Sequence, residues 1–174
     1  MPATLSDWEQ AALAVVRDYC GWAPAPSRRE TLVVTALERS RDLSIPSGHV
    51  TEVHSVKVRA PGQPWTVLPE HLFEWDFNGL LRLPRGHLWP QTLRGVEVDV
   101  THGFEWDEVP NVAGVVHNLA RRAASGVYGV ASQSVTGASV SYQTAGGAPL
   151  SIPLLQIEKQ TLDPYRITAG DIPG

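Results

Sequence analysis

Apolar residues near the N-terminus recur at the spacing of an amphipathic helix. Five of them share one face of such a helix: Trp8, Ala12, Val15, Val16 and Tyr19. Ser6 and Glu9 fit a capping box at its start, since the hydroxyl and the carboxylate can each accept a hydrogen bond from a backbone N–H there. Gly21 can end the helix in a left-handed conformation, and Pro24 prevents its continuation. The pattern therefore predicts a first helix that stops near Gly21.

The middle of the chain has the pattern of β-structure. We expect strands over residues 30–37, 49–58, 72–77, 80–83 and 94–101. The last of these alternates most regularly, because Val96, Val98 and Val100 are separated by polar residues. It reads as a half-buried antiparallel strand. Asn78-Gly79 predicts a hairpin with a type I′ turn.

Two further helices are predicted after this region. The first begins near Pro110, which suits a first helical turn, and runs to Ser125. Its apolar stripe consists of Val112, Val115, Val116, Leu119, Ala120 and Ala123. We expect this helix to be the packing centre for the N-terminal one. The second covers residues 153–162, with apolar positions at Leu154, Leu155, Ile157 and Leu162.

Residues 123–157 contain no charged side chain. Within this stretch Thr136, Ala138, Val140 and Tyr142 alternate with glycine and serine, so a strand here would be weakly buried on either face. Two interpretations are open. The segment is either a flexible linker or an arm that orders against another subunit by strand addition.

Together these elements predict an α+β protein in which a small bundle of three helices carries a β-rich insertion between helix 1 and helix 2. We expect one domain overall. Its segments are an N-terminal helix and turn (1–28), the β-rich insertion (29–106), a central helix (107–126), an uncharged extended arm (127–150) and a C-terminal helix and tail (151–174).

Composition narrows the class of protein. The 174 residues fit one domain that can bury a core. The net charge of −4 argues against a basic surface for nucleic acid. A single cysteine, Cys20, excludes an internal disulfide framework, and the N-terminus lacks the features of a signal peptide. No apolar run is long enough to span a membrane, so we expect a soluble protein without membrane contact.

Candidate catalytic chemistry is sparse. The sequence contains no nucleophile elbow, phosphate-binding loop or dinucleotide fingerprint, and Cys20 is expected to be a small buried hydrophobe. A metal site built from His54, His102 and His117 is conceivable, although ordinary structural roles explain these residues better. Exposed tryptophans could stack on sugar rings, which makes a carbohydrate-binding module the alternative function. We expect no catalysis, no cofactor and no metal.

Three segments, taken in order, resemble a known family. They are a helix closed by Cys-Gly-Trp (Trp8–Trp22), a valine strand with a Thr-His-Gly turn and a helix bearing Ala-Arg-Arg-Ala-Ala (Gly95–Ser125), and ASVSYQ at 138–143 followed by a helix ending in LDPYRI at 162–167. This ordered set resembles the head–tail connector (adaptor) proteins of tailed bacteriophages and prophages, especially those of actinobacterial hosts. It covers roughly half of the chain.

The resemblance implies a structural virion protein at the head–tail junction (the neck), assembled in the host cytoplasm. Such connectors form a ring, commonly a dodecamer, beneath the portal protein. The ring extends the DNA channel and offers a docking platform for the tail through a stopper or tail terminator protein. A net acidic chain suits DNA that passes without specific binding. The expected subunit and partner contacts are Thr136, Ala138, Val140, Tyr142, Asp163, Pro164, Tyr165 and Arg166.

Overall fold

Helices flank a strand-rich region, which confirms the α+β prediction. The computed structural model describes residues 5–36, 38–125, 144–145, 148–149 and 153–167. The helices are α1 (Leu5–Cys20), α2 (Pro110–Ala124) and α3 (Gln156–Leu162), with short 3-10 turns at Glu70–Leu72 and Asp163–Tyr165. The strands are β1 (Arg28–Val34), β2 (Asp42–Ser44), β3 (Val50–Val58), β4 (Thr66–Leu68), β5 (Glu74–Trp75), β6 (Leu80–Arg82), β7 (Val96–His102), β8 (Thr144–Ala145) and β9 (Ala148–Pro149).

The three helices pack around one shared apolar core. Every residue of the stripe predicted on α2 is buried, and Val112 and Leu119 have no exposed surface. The stripe predicted on α1 faces the same core, with Ala12 and Val16 buried within it. Leu162 of α3 completes the core. Helical periodicity in the sequence therefore marked the faces that the bundle buries.

The end of α1 depends on a glycine. Gly21 has a φ of 79°, and its N–H donates to the Arg17 carbonyl at 2.9 Å. The carbonyl of the preceding Cys20 accepts the Ile167 N–H at 2.9 Å. A Cβ atom on Gly21 would lie 3.3 Å from the Ile167 carbonyl oxygen. Both the left-handed backbone and the limited space favour glycine here, as the sequence predicts.

The larger sheet is antiparallel and has the strand order β1-β7-β3-β4. Its strand β7 pairs with β1 along the whole length of both, beginning with Arg28 opposite His102. Val96, Val98 and Val100 are fully buried, while the residues between them are partly exposed. The predicted alternation of β7 is confirmed.

A second sheet, with the order β2-β6-β5, packs on the apolar face of the first. Leu43 and Leu81 from this sheet join Val56 and Val98 from the larger one in a single hydrophobic cluster. Trp89 is buried in the same cluster, and its indole N–H finds an acceptor in a backbone carbonyl. The strand region therefore has its own core, separate from that of the helices.

The hairpin between β5 and β6 is present, but its turn differs from the predicted one. A type I′ turn needs positive φ at both central residues. Gly79 has a φ of 80°, whereas Asn78 does not have positive φ. The Gly79 N–H donates to the Asp76 carbonyl and the Asp76 N–H donates to the Leu80 carbonyl, both at 2.9 Å. The loop is therefore one residue longer than predicted, a type I turn followed by a glycine bulge.

Several element boundaries also differ from the prediction. The strand expected over 30–37 runs from Arg28 to Val34, because pairing with β7 extends further towards the N-terminus. The last helix starts at Gln156 instead of 153, since Leu155 is still extended, with φ −70° and ψ 157°. The short strands β2 and β4 and the hairpin of β8 and β9 were not predicted, because two or three residues are too few to show a period.

Two loops join the helical region to the sheets. The Ser27 N–H donates to the Phe104 carbonyl at 2.9 Å, and the Phe104 N–H donates to the Pro24 carbonyl at 2.7 Å. The connection from α1 to β1 is thereby hydrogen-bonded to the connection from β7 to α2. As a result, the start of β1 lies close to the start of α2.

Candidate functional site

The predicted contact residues fall into two groups. Four lie outside the described residues: Thr136, Ala138, Val140 and Tyr142. The other four follow α3 and begin with a 3-10 turn: Asp163, Pro164, Tyr165 and Arg166. The second group is called the C-terminal turn below.

The C-terminal turn is docked on α1 and α2. The Tyr19 hydroxyl donates to Asp163 Oδ1 at 2.6 Å, and the Trp22 indole N–H donates to the Tyr165 carbonyl at 2.6 Å. The Tyr165 hydroxyl donates to Asn111 Oδ1 at 3.2 Å. Tyr165 is thus turned towards the bundle, where it supports the chain's own fold.

Three residues of the C-terminal turn remain exposed: Asp163, Pro164 and Arg166. The Arg166 guanidinium lies over the Tyr19 ring, 4.9 Å from its centroid, and 3.8 Å from the Asp163 carboxylate. The hydrogen bond to Asp163 raises the pKa of the Tyr19 hydroxyl above its usual value. This small polar surface is accessible to another chain without any change in the bundle.

A buried ion pair fixes the start of α3 to the end of α2. The Glu158 side chain is 6% exposed and accepts two hydrogen bonds from Arg122, with Nη2 2.8 Å from Oε2. Glu158 Oε2 also accepts the Leu155 N–H at 2.8 Å. The same Arg122 Nη2 donates to the Pro153 carbonyl at 3.1 Å. The long connection between Ser125 and Pro153 therefore leaves and returns at one end of the bundle.

A second buried cluster lies where the large sheet meets α1. His102 Nδ1 lies 3.1 Å from Ser47 Oγ, and His102 Nε2 lies 3.3 Å from Glu30 Oε2. Glu30 also accepts hydrogen bonds from Arg17 and Arg28. Partial burial opposes ionisation of Glu30, but these donors outweigh it and hold its pKa at about 2. Burial lowers the pKa of His102, so its ring is neutral at pH 7.

The set of Glu30, His102 and Ser47 has the residue types of a hydrolase triad. Ser47 and His102 are each only 1% exposed, so a substrate has no access to the hydroxyl. Ser47 Oγ also accepts the His49 N–H at 3.3 Å. The cluster therefore serves to fasten β1, β7 and the loop before β3 together. Sequence reasoning missed it because its pairs are separated by 55 and 72 positions.

The geometry does not assemble the three-histidine site. His54 Nε2 lies 2.7 Å from Thr101 Oγ1 on the sheet, His102 belongs to the buried cluster, and His117 is exposed on α2. Within the described part of the chain, no group of three or more histidine, cysteine or acidic residues could hold a metal ion. Cys20 is buried as predicted, and desolvation raises its pKa to about 12.

The outer face of the large sheet carries charges that pair with each other. The Arg29 guanidinium donates to both carboxylate oxygens of Asp99, at 3.0 and 2.6 Å. Lys57 Nζ lies 2.6 Å from Glu97 Oε1. Because the cations are matched by carboxylates, this face has no surplus of positive charge to attract a phosphate backbone.

Four of the six tryptophans are engaged within the protein: Trp8, Trp22, Trp65 and Trp89. Trp75 and Trp106 are partly exposed. Trp75 lies on β5, and Trp106 lies between β7 and α2. For the sugar-binding alternative, only Trp75 and Trp106 remain as exposed indole rings in the described structure, and they lie on different elements.

Large apolar side chains are exposed in two parts of the structure. In the strand region they include Phe77 and Leu93, the latter 79% exposed. At the start of α3 they are Leu155 and Ile157, the latter 65% exposed, and both were predicted as apolar positions of the last helix. Such side chains gain free energy when another surface removes them from water.

The sequence matches no protein-family model and no curated protein. Among solved structures, the neck of a native gene transfer agent (GTA) particle, computed with C12 symmetry, has a similar chain with a TM-score of 0.62 and 20% identity. The alignment covers 95% of this chain and 83% of that chain. The neck of an empty GTA particle, computed with C6 symmetry, contains a chain with a TM-score of 0.59 and 20% identity, and the alignment covers 94% of this chain and 78% of that chain. The virion of the native GTA particle contains a chain with a TM-score of 0.58 and 20% identity, and the alignment covers 94% of this chain and 77% of that chain.

These likenesses define the class of fold. The chain has the α+β fold found in a chain of the gene transfer agent neck, over nearly its whole length. None of the described helices is long and apolar enough to cross a membrane.

Proposed function

We propose that this chain is a structural protein of the neck of a phage-like particle, where it acts as a head–tail connector (adaptor). The observation that carries the proposal is the fold shared with a neck chain over 95% of the present sequence. The ordered sequence resemblance to phage connectors points the same way. In this role the protein has no catalytic activity and no cofactor, and it resides in the virion after assembly in the host cytoplasm.

The subunit forms a closed ring with copies of itself. The C12 symmetry applied to the similar neck structure supports a dodecamer. In such a ring one face of each subunit meets a different face of the next. The uncharged residues 136–142 are the proposed contact segment. They belong to the connection between α2 and α3, and the bonds of Arg122 to Pro153 and Glu158 hold both ends of this connection at one place on the bundle. A long connection rooted in this way can extend to a neighbour.

The C-terminal turn is the proposed contact for the portal protein. Asp163, Pro164 and Arg166 are exposed, and the hydrogen bonds of Tyr165 and Tyr19 fix their position relative to the bundle. A prearranged polar surface loses little conformational entropy on binding. The tail side of the ring then receives a stopper or tail terminator protein.

DNA passes through the ring without specific binding. Every phosphate that a cation neutralises adds affinity, which would slow the passage of DNA. The net charge of −4 and the paired charges of the large sheet keep that affinity low.

The portal contact can be tested by co-purification. The chain is co-expressed with a tagged portal protein of the same particle, and the amount retained is measured for Arg166→Ala and for Arg85→Ala. Both arginines are exposed, but Arg85 lies in the strand region. We expect wild type and Arg85→Ala to be retained equally and Arg166→Ala to be reduced, with unchanged thermal unfolding. Failure of the wild-type chain to co-purify with portal protein would contradict the proposed function.

A further inference from the structure

Strand β1 presents the longest edge in the described structure. It runs over seven residues, whereas the other edge strands of the two main sheets, β4, β2 and β5, have three, three and two. The part of β3 that β4 does not pair, residues 50–55, is shorter and is interrupted by two register shifts. On one side β1 pairs continuously with β7. On its outer side, no described residue forms a backbone hydrogen bond with it. Its outward N–H and C=O groups can therefore accept another strand.

The far half of this edge lacks the usual protection against strand addition. Charges, prolines and bulges normally protect an edge. The first half of β1 carries charges at Arg28, Arg29 and Glu30, which protect it against strand addition. Each of these side chains also forms an ion pair within the chain. From Thr31 to Val34 the strand has no charge, no proline and no break in register. These residues are well suited to β-pairing.

We propose that this outer edge of β1 binds residues 136–142 of a neighbouring copy as an added strand. The inference rests on the proposed function, since it requires copies arranged in a ring. The segment has the same length as β1, carries no charge and alternates in the pattern of a strand. Beside β1, its face with Val140 and Tyr142 would extend the apolar layer that contains Leu32. Its glycine and serine face would lie beside Thr31.

The reach of the chain favours a neighbour's β1 over its own. The connection leaves and returns at the end of α2 marked by Arg122, whereas β1 starts near the other end of that helix. The 15 residues of α2 separate these ends by about 22 Å. β8 and β9 pair Thr144 with Pro149, so this part of the return path adds almost no reach. Only the residues outside this pairing can extend between Tyr142 and Pro153, so the return path limits pairing with the chain's own β1 more than the outgoing path from Ser125 does.

Cysteine cross-linking can test the proposal in the assembled ring. Thr31 is the central residue of β1 and Ser139 is the central residue of 136–142, so they approach each other whether the added strand is parallel or antiparallel. Thr31→Cys and Ser139→Cys are placed on separate copies, co-expressed with portal protein and oxidised mildly. Thr66→Cys replaces Thr31→Cys as the control, because it is an exposed threonine on the opposite edge of the same sheet. The native Cys20 stays inert, since it is buried with a pKa of about 12.

Non-reducing electrophoresis of the portal-bound ring gives the result. We expect a cross-linked dimer from Thr31→Cys with Ser139→Cys, little from the Thr66→Cys control, and a ladder of higher species when one chain carries both Thr31→Cys and Ser139→Cys. Rings that form without the cross-link, or a doubly substituted chain that closes only on itself, would overturn the edge assignment and leave the neck function standing. If no ring forms at all, both proposals fail.

Discussion

The buried ion pair of Arg122 and Glu158 joins α3 to α2, and its contribution to the free energy of unfolding can be measured by substitution. Replacing Arg122 with Met removes the cation and leaves the Glu158 carboxylate, 6% exposed, without its main partner. Breaking a buried pair from one side costs about 3–5 kcal/mol. Because Arg122 is itself 28% exposed and Glu158 keeps the Leu155 N–H, we expect a loss near the lower end, about 3 kcal/mol. Urea unfolding followed by tryptophan fluorescence measures it.

A second variant separates loss of the pair from loss of packing. In the Arg122→Met/Glu158→Met double variant the buried carboxylate is gone, but the Leu155 N–H and the Pro153 carbonyl lose their partners, so its free energy of unfolding should lie between those of wild type and the single variant. The slope of unfolding against urea should stay the same in all three proteins. A loss below about 0.5 kcal/mol for the single variant, or a double variant as unstable as the single one, would mean that Arg122 does not stabilise the fold by pairing with buried Glu158.

Other expected outcomes follow from the same structure. Leu119→Ala should lower the free energy of unfolding by about 2–5 kcal/mol, while exposed Asn118→Ala on the same helix should change it by less than about 0.5 kcal/mol; equal effects would mean that the buried face of α2 is wrong. Gly21→Ala should cost about 1–2 kcal/mol because of its positive φ, and an unchanged midpoint in urea would contradict this. Stability should fall with acid in two stages, because the pKa values of His102 and Glu30 are both lower in the folded chain and the unfolded chain binds the protons first. The first stage begins below the usual histidine pKa of 6.5, and the second extends from 4.5 to about 2. Urea unfolding at a series of pH values should show that Glu30→Gln flattens the second stage; an unaltered acid limb would exclude Glu30 as its source. Finally, added oligosaccharides should leave tryptophan fluorescence unchanged, and a saturable shift would favour the sugar-binding alternative.

Burial explains which parts of the fold were predictable from sequence. The positions of Leu119 on α2 and Val98 on β7 recur with the period of their element, because one face of each element is packed and the other is solvated. Gly21 was recognisable for a similar reason, since a left-handed helix end strongly favours glycine. These signals are local: each depends only on the secondary structure in which the residue itself lies, so it can be read from a short stretch of sequence.

The missed features depend on contacts between distant parts of the chain. Nothing near Glu30 in sequence indicates that it meets His102, and nothing near Tyr165 indicates that Trp22 and Asn111 hold it against the bundle. Strand β2 is short and is stabilised by pairing with β6, so its own pattern is too brief to read. The fold class was therefore accessible from sequence, whereas the contacts that hold Tyr165 against the bundle needed the structure.

Negative-stain imaging of the chain co-expressed with its portal protein is the most direct test of the proposed neck function. We expect particles in which a closed ring of this protein lies beneath the portal, with twelve subunits in averaged end views. Portal particles without added density, with the chain recovered separately as a monomer, would contradict it.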